Sequence, residues 1–294
     1  MKIAYIEKKF RAESMAQIET ANGIIDQYSA LGLRMTLRQL YYQFVAHHGL
    51  PNTERSYKNL ASLISQARLA GLIDWEAIED RGRMPSTPSE WSGIPNLIDA
   101  ALRGYRLPRW EDQCAYVELW VEKQALAGVL EPLAHEFHVT LMVNKGYSSQ
   151  SAMWESANRY KHRSAQRDIL LYLGDHDPSG EDMVRDIGAR LRMFGVDDIE
   201  VEKVALTMSQ IERHRPPPNP AKLTDPRAKN YVAEHGDSSW EVDALDPDTL
   251  AELVRAAVSK HIDKPRMRDI KAREERHKSK LRKLIDSVDD WSAP

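Results

Sequence analysis

Leu173-Gly174-Asp175-His176-Asp177-Pro178-Ser179-Gly180, directly after the apolar run Ile169 to Leu173 (ILLYL), decides the reading of the fold. A short apolar run that stops at a glycine, then two carboxylates, a proline and a serine, reads as a strand, a tight loop and a helix start. Similar units lie on either side. Ala115 to Val121 (AYVELWV), His138 to Val143 (HVTLMV) and Ile199 to Leu206 are strand-like, and Gln124 to Phe137, Gln150 to His162 and Glu181 to Phe194 are helical in pattern. Strands alternating with helices imply right-handed crossovers and a parallel sheet, hence an α/β fold. Ligand chemistry on such a sheet gathers beyond the carboxyl ends of its strands.

Three acidic residues fall at that rim. Glu122 follows the first strand, and Asp175 and Asp177 follow the third. Carboxylates converging in a small space cannot all stay ionised without a cation. An oxygen-only donor set favours a hard ion, with Mg²⁺ and a phosphate as the natural pair. The competing reading is an aspartate that caps the helix starting near Ser179. His176 alternates away from its neighbours in an extended loop and is not expected to ligate. Lys145, after the second strand, is either a phosphate contact as a point charge or a solvated loop residue.

Upstream, residues 1–105 read as helix after helix. Thr36 with Gln39 is a capping box, and Leu37, Leu40, Tyr41, Phe44 and Val45 share one helical face. A second helix is expected from Thr53 to Ala70, with Leu60, Leu63, Ile64 and Ala67 inward and Arg55, Lys58 and Arg68 among the outer residues. Helix, turn, helix and then the basic Arg81-Gly82-Arg83 suggest a winged-helix-like module whose second helix enters a DNA groove, with Arg68 a candidate contact. Tyr41 belongs to the apolar face. Tyr42 is rotated about 100° from it and lies one turn beyond Arg38. A phenol beside a guanidinium suits attack on a phosphodiester, because the cation favours the phenolate and binds phosphate oxygens. A surface tyrosine that packs or stacks is the plainer alternative.

Composition bounds these readings. The 294 residues are 42% hydrophobic with only 14 Gly and 15 Pro, a globular mixture. A single cysteine, Cys114, excludes an intrachain disulfide and a zinc knuckle and fits a reducing, cytoplasmic setting. No apolar run approaches the roughly 20 residues needed to cross a bilayer, and the N-terminus lacks a signal-peptide core. The net charge of −3 is unevenly placed: Lys264 to Lys283 holds ten Lys/Arg against three Asp/Glu. That +7 leaves −10 on the remainder. It hints at phosphate contact or marks a solvated helix.

Leu37-Arg38-Gln39-Leu40-Tyr41-Tyr42 resembles the Arg-x-x-Tyr-Tyr signature of the topoisomerase VI A subunit and the meiotic double-strand-break transesterases. Val121-Glu122-Lys123, Lys145-Gly146-Tyr147 and Asp175 to Gly180 resemble their Toprim domain. The chain is shorter than a typical A subunit and looks most like the compact phage- and plasmid-encoded Mini-A forms. Pro216 to Lys222 and Trp240 to Leu245 also look similar to that group, without a role that the residues themselves explain.

The resemblance implies a winged-helix-like DNA-binding domain (1–105) carrying the tyrosine, a Toprim metal-binding domain (106–263) and a basic helical extension (264–294). It implies Tyr42 as nucleophile assisted by Arg38, and Glu122, Asp175 and Asp177 as Mg²⁺ ligands. It also implies a homodimer in which each tyrosine works with the partner's metal site on double-stranded DNA, leaving a 5′-phosphotyrosyl link. An ATPase subunit, if there is one, is a separate chain, since no G-x-x-x-x-G-K-[ST] loop is present. The alternatives are a hydrolytic Toprim nuclease, with Tyr42 a bystander, and a non-catalytic DNA-binding protein.

Overall fold

Seven consecutive buried residues form β1 (Ala115–Val121), as a strand covered on both faces of a parallel sheet must be. The computed structural model describes residues 1–30, 34–78, 88–144, 148–163 and 166–288, with side chains through 283. β1 lies between β2 (Thr140–Val143) and β3 (Arg167–Leu173), and β4 (Ile199–Ala205) flanks β3. All pairs are parallel, in the order β2-β1-β3-β4. β2 starts later than expected because His138 takes a left-handed conformation that ends the preceding helix.

The crossovers are helical. α5 (Ala127–Phe137) follows a 3-10 turn at Gln124–Leu126. α6 (Gln150–Lys161) and α7 (Pro178–Met193) complete the series. The protein is therefore α/β, a four-stranded parallel sheet flanked by helices.

One charge sits inside this sheet. Glu118 is fully buried on β1, yet each carboxylate oxygen has donors. Arg159 on α6 grips it with two bonds of 2.7 and 2.9 Å, and Tyr116 and Trp120 add bonds of 3.0 and 2.9 Å. A buried charge persists only when paired and hydrogen-bonded in this way.

The N-terminal helices have a core of their own. α1 (Ala12–Ala30), α2 (Leu37–His47) and α3 (Glu54–Leu69) bury Ile18, Ile25, Leu40, Phe44, Leu60 and Ile64 together. The Thr36 capping box starts α2: Thr36 N–H donates to Gln39 Oε1 at 2.8 Å, and Gln39 N–H donates to Thr36 Oγ1 at 3.3 Å. Thr53 caps α3 through Ser56 N–H. A fourth helix, α4 (Ile94–Gly104), precedes the sheet. The Arg81-Gly82-Arg83 appendage lies outside the described residues.

After β4 the chain forms α8 (Met208–His214), the short antiparallel pair β5 (Asn219–Pro220) and β6 (Ser238–Ser239), and between these two strands α9 (Ala228–His235). A 3-10 turn at Val242–Ala244 leads to α10 (Pro247–Ser259) and the basic α11 (Lys264–Val288). Val242 and Leu245 belong to the sheet's core, whereas Ala244 belongs to the core of α1–α3. This turn therefore stitches the two cores together. No helix among the described residues is long and apolar enough to cross a membrane.

α11 packs on α4 and is tied to the approach to β1 by Glu274, whose side chain is 3% exposed. It accepts from Arg109 (3.1 Å), Lys278 (2.9 Å) and Leu107 N–H (3.0 Å). Burial alone would raise this carboxyl. Lys278, Arg109 and the Leu107 amide outweigh it and hold the group down to about 2. A carboxyl depressed in the folded state stabilises above its unfolded range near 4.5, and that stabilisation disappears as pH falls toward 2. Denaturant unfolding should therefore lose on the order of 2 kcal/mol from this group between pH 5 and pH 2. Glu274→Gln should lack that contribution at pH 7 and show a correspondingly flatter acid limb.

Candidate active site between the helical core and the sheet rim

The register fixes which loops meet. Val121 and Leu173 are paired at the ends of β1 and β3, so Glu122 and the 174–177 loop emerge side by side. Glu122 N–H donates to Leu173 O at 2.9 Å, and Glu122 Oε2 accepts from Asp175 N–H at 3.1 Å and from Tyr172 Oη at 3.3 Å. Asp177 caps α7: its Oδ1 accepts from Gly180 N–H (2.7 Å) and Ser179 Oγ (2.9 Å). The capping role weighed from sequence is thus present at Asp177. A Cβ at position 180 would lie 2.1 Å from Asp175 O, so only glycine lets the helix start fold back over the acidic loop. His176 turns away from Asp177 and contacts the rings of Tyr231, His235 and Trp240.

A segment that the sequence left without a role completes the site. His176 and Trp240 exchange backbone hydrogen bonds of 2.8 and 3.0 Å, which lays residues 240–244 along the acidic loop. Val242 N–H then donates to Asp175 Oδ1 at 2.8 Å. Between Glu122 and Gln124, Lys123 extends its ammonium into the centre. Its Nζ lies 3.0 Å from Asp175 Oδ1, 2.9 Å from Glu241 Oε2 and 2.9 Å from Asp243 Oδ1. Burial opposes the charge on Lys123, but Asp243, Asp175 and Glu241 together raise its pKa. Burial and the charges of Glu122 and Asp243 push Asp175 up to about 7 despite Lys123. Burial likewise raises Asp243.

Tyr42 meets this cluster from the other side. Its hydroxyl donates to Glu241 Oε2 at 2.6 Å, and Arg38 Nη2 lies 3.4 Å from the same hydroxyl. Arg38 also pairs with Glu241, and its Nε lies 3.3 Å from Asp243 Oδ2. A continuous polar chain runs Arg38, Tyr42, Glu241, Lys123, Asp175. A cavity of about 350 Å³ opens onto it, lined by Arg38, Tyr41, Tyr42, Asp175, Asp177 and Glu241, with Asn219, Pro220 and Lys222 from the proline-rich stretch forming another wall.

Several expectations change. Tyr42 was placed off the core, yet it is 3% exposed and belongs to the same apolar cluster as Tyr41. The face of α2 that periodicity left open is covered by the 242–244 turn. Arg38 was expected to favour the phenolate. Its charge is instead matched by Glu241 and Asp243, so burial and these carboxylates raise the Tyr42 pKa and keep the phenol protonated. Glu241 goes the other way: burial opposes its charge, but Lys123, the Tyr42 hydroxyl and Arg38 bring it down to about 2. Arg68 is held by the segment that follows α3. Its guanidinium donates to Trp75 O (2.6 Å) and Ile78 O (3.3 Å) and stacks 4.6 Å from the Trp75 ring centroid. Lys145 lies outside the described residues.

The donor chemistry of Glu122, Asp175 and Asp177 suits a hard cation, and in this structure the three carboxylates are engaged with other partners. Among the described residues no three acidic, histidine or cysteine side chains are grouped to hold an ion. Glu122 is committed to the Asp175 amide, Asp177 to its helix cap and Asp175 to Lys123 and Val242. Glu241, Asp243 and Lys123 were missed as site residues. The only sequence signal for them was the resemblance at Trp240 to Leu245 and at Val121-Glu122-Lys123. No family model, curated protein or solved structure matches the chain.

Proposed function

We propose that this chain is a DNA-cleaving tyrosine transesterase, akin to the A subunit of type IIB topoisomerases, with a winged-helix-like module on a Toprim-like core. One observation carries the reading: a phenol hydrogen-bonded to a carboxylate and flanked by a guanidinium opens onto the cavity that also holds the acidic rim of a parallel sheet. Tyr42 Oη forms a bond to a backbone phosphorus, the bond from phosphorus to the 3′-oxygen breaks, and that oxygen takes up a proton from water. The phenolic proton passes to Glu241 Oε2, within hydrogen-bond reach at 2.6 Å.

Substrate binding supplies the activation that the free protein lacks. A phosphate entering the cavity draws the Arg38 guanidinium onto its own oxygens. Glu241 then loses one of the cations that hold it acidic, its basicity rises, and the phenol yields its proton more readily. Lys222, with no carboxylate partner among the described residues, offers a further cation to the phosphate. Magnesium and a homodimer remain part of the proposal through the resemblance, but no step above runs through either. Within one chain Tyr42, Asp175 and Asp177 line the same cavity.

Incubating the protein with supercoiled plasmid and Mg²⁺, then stopping with detergent, tests the reading. Broken DNA should migrate as a protein adduct until protease is added. Free nicks with no adduct would reassign the site to hydrolysis. Intact plasmid under all conditions would leave a DNA-binding protein.

A further inference from the structure

The opposite edge of the sheet carries a second polar cavity, of about 370 Å³, between Tyr116 at the start of β1 and Thr140 at the start of β2. It lies at the amino-terminal ends of the strands, roughly 20 Å from the acidic rim for a strand of this length. Arg106, Arg109 and Arg163 line it, together with His138.

Their charge is not matched. Among the described residues Glu274 is the one carboxylate that reaches these arginines, at 3.1 Å from Arg109 and 3.7 Å from Arg106, and it shares Lys278 with Glu275. Glu118, which accepts from the Tyr116 hydroxyl, is matched by Arg159. Arg163 has no carboxylate partner among the described residues, and its guanidinium lies 4.9 Å from the Tyr116 ring centroid. Arg109 is 11% exposed, and its Nε has no acceptor among the described residues. Arg106 also lines a neighbouring groove with Arg103, Lys278 and Arg282, whose one acid, Asp99, is paired to Arg103. Guanidinium forks around a hollow with surplus positive charge match phosphate oxygens in shape and sign.

We propose that this arginine-lined cavity is a phosphate-binding site, filled by a backbone phosphate of a nucleic acid whose neighbouring phosphates follow the groove between α4 and α11. The occupant is polyanionic because the surplus cations continue past the cavity along that groove. His138 supports the sign of the field: burial, then Arg109, lowers its pKa. The site stands whether or not Tyr42 cuts DNA, since it shares no residue with that cavity.

The test uses the full chain and two probes, pyrophosphate by calorimetry and a fluorescent 20-base-pair duplex by anisotropy. Arg106→Ala/Arg163→Ala should remove one equivalent of bound pyrophosphate, weaken the duplex roughly tenfold and lower its salt slope by about two. Arg109→Lys, which keeps the charge on Glu274 but loses the fork, should weaken pyrophosphate while preserving the melting temperature. The charge-matched pair Lys2→Ala/Lys229→Ala should change neither. Pyrophosphate bound at the cavity with duplex affinity untouched would keep the phosphate site but overturn nucleic acid as its occupant. No pyrophosphate binding, or equal losses in the charge-matched pair, would overturn the site itself.

Discussion

Tyr42→Phe is expected to abolish the covalent adduct, by at least roughly 10³-fold, without unfolding the protein. The ring is buried and its packing is unchanged by loss of the hydroxyl. The bonds lost are those to Glu241 and Arg38, and these two remain paired with each other and with Asp243 and Lys123. Stability should shift by no more than about 1 kcal/mol. Tyr41→Phe is the informative contrast. The Tyr41 hydroxyl accepts from Thr53 N–H at 2.9 Å and lies within 3.1–3.2 Å of Asn52 Oδ1, Pro51 O and Thr53 O, so it ties the turn between α2 and α3. Losing it should lower stability by about 1–2 kcal/mol and leave the adduct intact. Gel mobility of trapped complexes and thermal unfolding of both variants give the two readouts. An adduct that persists in Tyr42→Phe would remove the tyrosine from the chemistry.

Lys123→Ala should be the most destabilising single substitution at the site. It leaves the buried Asp175 and Asp243 and the half-buried Glu241 around an empty space, with Arg38 as the only remaining cation in direct contact among the described residues and Arg38 reaching just two of them. Removing one partner from a buried ionic cluster costs about 3–5 kcal/mol, because the stranded charges cannot regain water. The cluster also joins the 242–244 turn to β1, so the loss should loosen α1–α3 from the sheet. Denaturant unfolding measures the first effect, and amide hydrogen exchange in α1–α3 measures the second. An unfolding free energy within about 1 kcal/mol of the parent would show that the carboxylates do not depend on this ammonium.

Local signals set much of the architecture. Thr36 and Gln39 start α2 because the cap is formed by residues three apart, with no help from the rest of the chain. The strands AYVELWV and ILLYL are apolar on both faces but for Glu118, a pattern that belongs to the middle of a parallel sheet, and β1 and β3 lie there. Asp177 was ambiguous from sequence, since ligand and helix cap call for the same residue type. The Gly180 and Ser179 donors show the cap.

Tyr42 shows where periodicity fails. Helical spacing identifies which residues share a face but not what later segment covers the other face. Here that cover is the 242–244 turn, some 200 positions away. The partners of Arg68 were illegible for a related reason, since Trp75 to Ile78 fold back against it.

The amino-acid sequence by itself determined the helical caps, the parallel α/β pattern and the placing of Glu122 and Asp175 at one rim, because each rests on spacing within a few residues or on strand ends brought level by regular pairing. Only the tertiary structure decided that Tyr42 is buried with its pKa raised, that Glu241 holds its hydroxyl and that Lys123 sits among three carboxylates. Those outcomes depend on burial and on charges contributed by distant segments, and a pKa or an ion pair exists only once such segments have excluded water together.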